Sequence, residues 1–439
     1  MAGGALMQLV AYGAQDVYLT GSPSITFFQA VYKKHTNFAM ETIEQTIDGT
    51  VGSSGHCSVT VARNGDLIGN MFLELNGTTG LDSAKSGLGF AAERAINYVT
   101  LTIGGQQIDK HYQKWWRLYS ELNMDAGAHA NYGKMTSFGL ASVDNSDKVY
   151  LPLLFFFNRN PGLYLPLISL QYHEVKLDFY LDANFGDNFA TNMTCYGNYV
   201  YLDTEERRRF AQTGHEYLID QVQHTGGESV TVDASGVGVK QIRLSYNHPV
   251  KELVWRFGGS TAAAAPGAGT GDDYFATWCP QDVIDPPVTE PANAGNSTTY
   301  NLGAPTFDVE GSTNQWVVEG GDTNATARPA VGPLNRFKLI LNGTDRFKEQ
   351  YGKYFNQVQS FEHHSGSPQP GIYSYSFGLK PEEHQPTGTC NFSRIDNAVA
   401  WVEMKSAIAA NQMSTMSMFA VNYNVLRVQS GMGGLAFSN

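Results

Sequence analysis

The sequence predicts an all-β chain of two domains, on three observations. Its 439 residues exceed one ordinary domain of ~100–200 residues and are enough to bury two cores. Apolar residues recur with period 2, and no long stretch keeps the 3.6 period of an amphipathic helix. A tight-turn motif followed by an aromatic cluster occurs once in each half.

The first of these turns follows Val99, Leu101 and Ile103, where Gly104-Gly105 supplies the positive φ that a two-residue hairpin demands. Asp109-Lys110 and the rings of Tyr112, Trp115 and Trp116 come next, a group suited to packing or to contacts between copies. From Glu174 to Leu181, Val175, Leu177, Phe179 and Leu181 alternate with polar residues and Tyr180, which is one wall of a sandwich. Asp203 to Gln212 reads as a short helical turn on which Glu205 pairs with Arg209, and the domain junction is placed just after it. In the second half Phe337, Leu339 and Leu341 lead into Asn342-Gly343, followed by Asp345-Arg346, Phe347, Tyr351, Tyr354 and Phe355. The two halves read as distant copies. Between Gly258 and Gly332 the chain turns to Gly, Ala, Pro, Thr and Asn, including Ala262 to Gly271 and Pro286-Pro287, which reads as long surface loops between strands.

Composition narrows the function. Charged residues are 16% of the chain against roughly 25% in an average soluble protein, while 42% are hydrophobic and 12% aromatic. Large protein–protein interfaces have this bias, because their cores are depleted in Lys, Glu and Asp. With 29 basic and 41 acidic residues, the net charge of -12 repels phosphate and argues against direct nucleic-acid binding. The apolar runs Leu151 to Phe157 and Leu163 to Leu170 fall short of the ~20 residues that cross a bilayer. No basic stretch precedes the short apolar segment around Gln8, and Ala2 stands where myristoylation needs glycine, so cytosolic synthesis is expected. Cys57, Cys195, Cys279 and Cys390 form no CxxC pair and are expected to be reduced, buried thiols.

The search for chemistry returns no catalytic, cofactor or metal residues. His173-Glu174 and His215-Glu216 each begin a zinc-protease motif, but Leu177 and Ile219 stand where its second histidine belongs. Gly133-Lys134 lacks the P-loop glycine and hydroxyl, since Ala128 and Met135 occupy those places, and the Gly267, Gly269, Gly271 string precedes no helix. No serine sits in a nucleophile elbow, the nearest miss being Gly258 to Ala262. Asp272-Asp273 and Glu382-Glu383 are read as solvated loop pairs, and His363-His364 as a loop pair without a ligand. N-x-[ST] sequons begin at Asn76, Asn192, Asn296, Asn324, Asn342 and Asn391. Asn296 and Asn324 are the exposed glycosylation candidates, whereas Asn342 and Asn391 sit in strand-like motifs.

Long motifs carry a resemblance. The opening MAGGALMQLVAYGAQDVYLTGSPSITFFQAVYKKHTNFAMETIEQTIDG resembles the N-terminus of major capsid proteins of nucleocytoplasmic large DNA viruses, closest to those infecting algae. The likeness returns in GGQQIDKHYQKWWRLY, LPLLFFFNRNPGLYLPLISLQYHEVKL and LDTEERRRFAQTGHEYLI, and then in NHPVKELVW, LNGTDRF, QPTGTCNFSRIDNA and YNVLRVQSGMGGLAFSN. It covers the chain except for its variable loops.

The resemblance implies a non-enzymatic double jelly roll, two consecutive eight-stranded antiparallel rolls. Three chains would close into a pseudo-hexagonal capsomer that tiles an icosahedral virion shell assembled in the host cytoplasm. It also implies an N-terminal arm over 1–26, with Ser22, Pro23 and Ser24 at its junction, a first roll over 27–212 and a second over 213–439 with outer loops at 258–332. Expected partners are the chain itself, neighbouring capsomers, minor capsid proteins, an inner membrane near the arm and a host surface at the outer loops. The rival reading is a two-domain β-sandwich lectin or carbohydrate-active enzyme with Tyr112, Trp115 and Trp116 as its platform.

Overall fold

The computed structural model describes residues 3–77, 90–137, 148–183, 185–230, 238–258, 334–368, 371–404 and 415–437. It divides into two units, Met1–Phe38 and Ala39–Asn439. In the first, α1 (Gly3–Val10) and α2 (Asp16–Thr20) carry no buried residue. The Asp16 carboxylate accepts the Gly13 N–H at 2.7 Å, which ties the turn between them.

The second unit starts as ten strands: β1 (Phe38–Gln45), β2 (Ile47–Gly49), β3 (His56–Thr60), β4 (Leu67–Gly77), β5 (Ile96–Ile103), β6 (Gln106–Tyr112), β7 (Lys148–Pro152), β8 (Leu165–Pro166), β9 (Val175–Leu181) and β10 (Phe189–Leu202). One sheet runs β1-β10-β4-β7 with β8 beside β4, and the other runs β2-β3-β9-β5-β6. Alternation is the reason they face each other. Val175, Leu177, Phe179 and Leu181 of β9 are buried while Lys176, Asp178 and Tyr180 are half-exposed, and β4 alternates likewise from Met71. The inward residues share one core.

A helix, α7 (Thr204–Gln212), leads into the second set: β11 (His215–Ser229), β12 (Gly238–Leu244), β13 (Pro249–Gly258), β14 (Leu334–Leu341), β15 (Thr344–Asp345), β16 (Gln350–Tyr351), β17 (Ile372–Ser376), β18 (Cys390–Asn391), β19 (Ala398–Met404), β20 (Thr415–Gln429) and β21 (Met432–Leu435). Its sheets run β11-β20-β13-β17, with β18 beside β13 and β21 beside β20, and β12-β19-β14-β15, with β16 beside β14. Trp255, Leu253 and Met418 from one sheet meet Phe337, Leu339 and Val402 from the other in a second core.

The strand orders are those of a double jelly roll, and the two rolls repeat each other. The path β1-β10-β4-β7 corresponds to β11-β20-β13-β17, and β3-β9-β5-β6 corresponds to β12-β19-β14-β15. Each roll thus has eight main strands, to which β2 and β8, or β16, β18 and β21, are short additions. The two echoing turns occupy the same place in this scheme. Gly104 and Gly105 have φ of 58° and 83°, and Asn342 and Gly343 have 49° and 81°, so each pair makes the left-handed turn between equivalent strands. Gly104 is fixed twice over, because a Cβ there would lie 2.2 Å from the His173 ring.

Two features differ from the sequence reading. Helices α3 (Gln113–Asn123) and α4 (Ala126–Thr136) interrupt the first roll, where no amphipathic period was legible. The cause is that α3 buries Arg117 and Glu121 along with Trp115, Trp116, Leu118 and Leu122, so charged letters occupy its inward face. On α7, Arg208 pairs with Glu205 at 3.5 Å and Arg209 with Glu206 at 4.0 Å, one residue closer in sequence than the expected Glu205–Arg209 pair. Both spacings face one another on a helix, and here i,i+3 is chosen. Short helices α5 (Phe156–Arg159), α6 (Phe185–Asn188) and α8 (Gln359–His363) complete the unit.

Trp255 is fully buried and its ring lies 4.5 Å from Phe337, 5.5 Å from Phe355 and 5.8 Å from Tyr373. Trp255→Ala is expected to cost ~3–5 kcal/mol in denaturant unfolding, the usual range for a buried large aromatic. A loss well under 1 kcal/mol would show that this ring does not anchor the second core.

Candidate functional site

The residues singled out for chemistry are dispersed. His173 lies in the loop before β9, where its ring meets the Gly433 backbone at 2.8 Å, and His215 opens β11 with its ring against the Phe210 carbonyl at 2.9 Å. Gly133 and Lys134 lie inside α4 instead of a phosphate loop. Glu382 accepts the Ser365 N–H at 2.7 Å, and Glu383 pairs with Lys380 at 2.8 Å. Of the His363-His364 pair, read as a loop pair without a ligand, the first ends α8 and the second follows it in extended backbone. The fully buried His364 side chain sits 3.5 Å from the Glu252 carboxylate and 3.6 Å from that of Glu382. Among the described residues no group of three or more His, Cys, Asp or Glu is arranged to hold a metal ion. Asn342 takes the hairpin turn and Asn391 accepts the Ser393 N–H at 3.0 Å. Asn296, Asn324, Asp272-Asp273, Gly267, Gly269, Gly271 and Cys279 lie outside the described residues.

What the fold does bring together is a seam between the two rolls. Tyr112 at the end of β6 and Trp115 on α3 lean on the second roll: Trp115 lies 5.8 Å from Phe419, and Tyr112 meets the His224 ring edge-on at 4.9 Å. Trp116, the next residue, turns the other way and donates its indole N–H to the Pro152 carbonyl at 2.8 Å, which locks α3 to its own roll. The sequence located this aromatic group and left its role open between packing and contact between copies. Within the chain it joins one roll to the other.

Polar groups reinforce the seam. Lys114 donates to Ser417 at 3.3 Å, the Val222 N–H donates to Asp109 at 3.1 Å, and Gln221 donates to the Ile108 carbonyl. Asp220 on β11 joins Lys251 at 3.0 Å and Arg159 of α5 at 3.3 Å. Burial alone would raise the Asp220 carboxyl, but these two cations hold it below the ordinary carboxylate range. Sequence reasoning missed this group, because Asp220, Lys251 and Arg159 are far apart in the chain and carry no motif.

Behind α3, Arg117 is enclosed by carboxylates, 3.3 Å from Glu93 and 3.3 Å from Glu121, with its guanidinium 3.2 Å over the Phe90 ring. Tyr132 donates to Glu93 at 2.7 Å and His129 lies 3.5 Å from Glu121. Burial pushes the Glu121 carboxyl up, and His129 with Arg117 pulls it further down, to below its usual value. This network holds α3 and α4 in place, and so aims Trp115.

The thiols are inert by placement. Cys57 and Cys195 are buried and unpaired, and desolvation pushes them up to about 11 and about 12. Cys390 is free and half-buried.

Comparison with known proteins points one way. The family model described as large eukaryotic DNA virus major capsid protein matches residues 206–434, and that described as major capsid protein N-terminus matches residues 26–203. The major capsid protein of Paramecium bursaria Chlorella virus 1 is 42% identical over 477 residues, covering 100% of both chains. That of Pyramimonas orientalis virus is 39% identical with the same coverage. A quasi-atomic model of the PBCV-1 virus capsid superposes with a TM-score of 0.74 at 37% identity, over 94% of this chain and 100% of that one. The Faustovirus major capsid protein shares the fold, with a TM-score of 0.66 at 12% identity over 97% and 96% of the two chains.

The seam is expected to loosen in mild acid. Burial holds the His224 ring below its ordinary value of 6.5, and nearby Lys114 and Lys110 add to this against the Met418 carbonyl; His384 is lowered by burial too. A neutral ring is therefore favoured in the folded state, so the stabilisation is present above the unfolded value near 6.5 and is lost as pH falls below it. Melting temperature should drop from pH 7 to pH 5, and His224→Gln should flatten part of that slope. An identical slope in the variant would exonerate His224.

Proposed function

This chain belongs to the major capsid proteins of large eukaryotic DNA viruses, and from that membership we propose that it closes as a homotrimer into a six-cornered capsomer of an icosahedral shell. It is a structural protein of the virion and not an enzyme. The observation that carries the trimer reading is the seam. One face of the β11-β20-β13-β17 sheet is closed by its own roll and the other by the neighbouring roll, with Phe419 and Trp115 at the centre. A roll that covers a roll within the chain is a unit built to be covered by another, and the 16% charge content fits a chain with more such surfaces.

The finer assignments follow the same reading. The chain divides into an arm over 1–26, a first roll over 27–212 and a second over 213–439, with the outer loops at 258–332. The arm meets neighbouring capsomers, minor capsid proteins and the inner-membrane side of the shell. Its helices carry Leu6, Met7, Leu9, Val10, Tyr18 and Leu19 exposed, an apolar surface that needs a partner. The outer loops face the host, with Asn296 and Asn324 as their glycan candidates, and assembly takes place in host cytoplasm without direct contact to nucleic acid.

Light scattering on the purified chain is expected to give a mass near three times 48.0 kDa. Its melting temperature should rise with protein concentration, as coupled assembly requires, with interfaces above roughly 2,000 Å² per contact. A monomer at high concentration, melting at one temperature throughout, would sink the trimer and reopen the carbohydrate-binding reading.

A further inference from the structure

The chain carries a net charge of -12, yet one cleft in it is electropositive. The cleft lies across the seam, between β6 of the first roll and β11 and the β12–β13 loop of the second, and has a volume of about 300 Å³. Lys110 lines it. Its ammonium stands 3.7 Å from the centre of the Tyr98 ring and 4.9 Å from that of Tyr112, and among the described residues no carboxylate or other hydrogen-bond acceptor meets it. Burial pulls the Lys110 amine below its ordinary value, with no acid to offset it. The one carboxylate in the wall is already engaged: Asp109 Oδ1 accepts the Lys110 N–H at 2.8 Å and the Val222 N–H at 3.1 Å, and its Oδ2 lies 2.9 Å from His111 Nε2. His224 reports the sign of the field, because the charges that act on its ring are those of Lys114 and Lys110, both cations.

Neutral groups complete the wall. The Gln107 and Asn247 side-chain amides and the Ser245 hydroxyl line the cleft, and none of the three has a partner among the described residues. Gln223 holds one of them in place: its side-chain amide donates to the Asn247 carbonyl at 2.7 Å and accepts the Asn247 N–H at 3.0 Å. His224 adds an acceptor. Its Nδ1 lies 2.8 Å from the Met418 carbonyl, which can only accept, so Nδ1 carries the proton and the neutral ring offers a lone pair at Nε2. Among the described residues no group donates to that nitrogen.

A cation, several donors and one acceptor form a selective set, since an anion without a proton satisfies the first two and leaves the third unmet. We propose that this cleft binds a phosphate that keeps one proton, free or as a monoester, with its anionic oxygens on Lys110, Gln107, Asn247 and Ser245 and its P–OH donating to Nε2 of His224. The hydroxyl separates this ligand from sulfate, which has the same shape and no proton to give near neutral pH. Phe437, 61% exposed at the rim, packs the organic group of an ester. A ligand held here touches both rolls at once, so its binding stabilises the seam.

Isothermal titration calorimetry on the full chain at pH 7, with inorganic phosphate, sulfate and phenyl phosphate as probes, tests the site. Phosphate should bind once per chain and raise the melting temperature with its concentration. It should bind at least about tenfold more tightly than sulfate, because a site that hydrogen-bonds a ligand hydroxyl rejects the analogue lacking it. Asn247→Asp changes an exposed side chain and sets a carboxylate against the anion, so it should weaken phosphate at least about tenfold, and Lys110→Met should do the same. His224→Phe keeps a ring against Phe419 and removes the acceptor, so phosphate should fall to the level of sulfate while sulfate is unchanged. Circular dichroism shows that each variant folds. Phenyl phosphate binding above inorganic phosphate assigns the cleft to a monoester, and binding no better than phosphate assigns it to the free ion. Absence of saturable phosphate binding at millimolar concentration, sulfate binding as tightly as phosphate, or phosphate binding untouched by both Asn247→Asp and Lys110→Met would each overturn the proposal.

Discussion

A sheet buried on both faces is the constraint on which the rest of this molecule depends. An antiparallel sheet ordinarily has one wet face, and its polar residues sit there. In β13 the outward positions carry Lys251 to one side of the roll and Glu252, Val254 and Arg256 along the strand, all taken from water. Such groups are tolerated inside a protein only with partners, since an unpaired buried charge costs several kcal/mol. Asp220 meets both Lys251 and Arg159, and His364 stands between Glu252 and Glu382. Arg159 comes from the first roll and Asn123, which meets His364 at 3.1 Å, does too. The second roll is therefore completed by the first.

The same constraint explains the helices. A seam needs a protruding element, and α3 supplies it by facing two ways at once: Trp116 inward to Pro152, Trp115 outward to Phe419. A helix placed so delicately must not rotate. Apolar packing alone would leave several rotations close in energy, whereas the Glu93, Arg117 and Glu121 arrangement satisfies its hydrogen bonds in only one. Buried ion networks often add little net stability, and their use in this place is to fix the register of α3.

How much of this was legible depended on how many faces each element buries. Strand β9 has one buried face, so its alternation was plain from Val175 to Leu181. The hairpin turns were plain as well, because Gly104-Gly105 and Asn342-Gly343 are local devices whose geometry depends on little else. Helix α3 was not, since its inward face holds Arg117 and Glu121, and hydrophobicity patterns assume that charges point outward. The Tyr112, Trp115 and Trp116 group was seen but not assigned, because a ring bound for a core and a ring bound for a partner have the same letter. The burial of His364 was not legible for the complementary reason: it is set by Glu252, Glu382 and Asn123, all remote in sequence.

Joining two rolls in one chain also changes the physics of the proposed ring. Association of separate subunits costs several kcal/mol of translational and rotational freedom at every contact. Where the chain runs directly from β10 through α7 into β11, that cost is largely met during folding, and the second roll is always at high effective concentration beside the first. Half the seams of a three-chain ring would then form in the course of folding, and the other half need form only among already paired rolls. Covalent linkage further frees the two kinds of seam to diverge. The internal one is largely buried and rich in ion pairs, while the Phe72, Tyr150 and Tyr196 face is half-buried, with Asn70 and Thr42 exposed and Glu74 paired with Lys148.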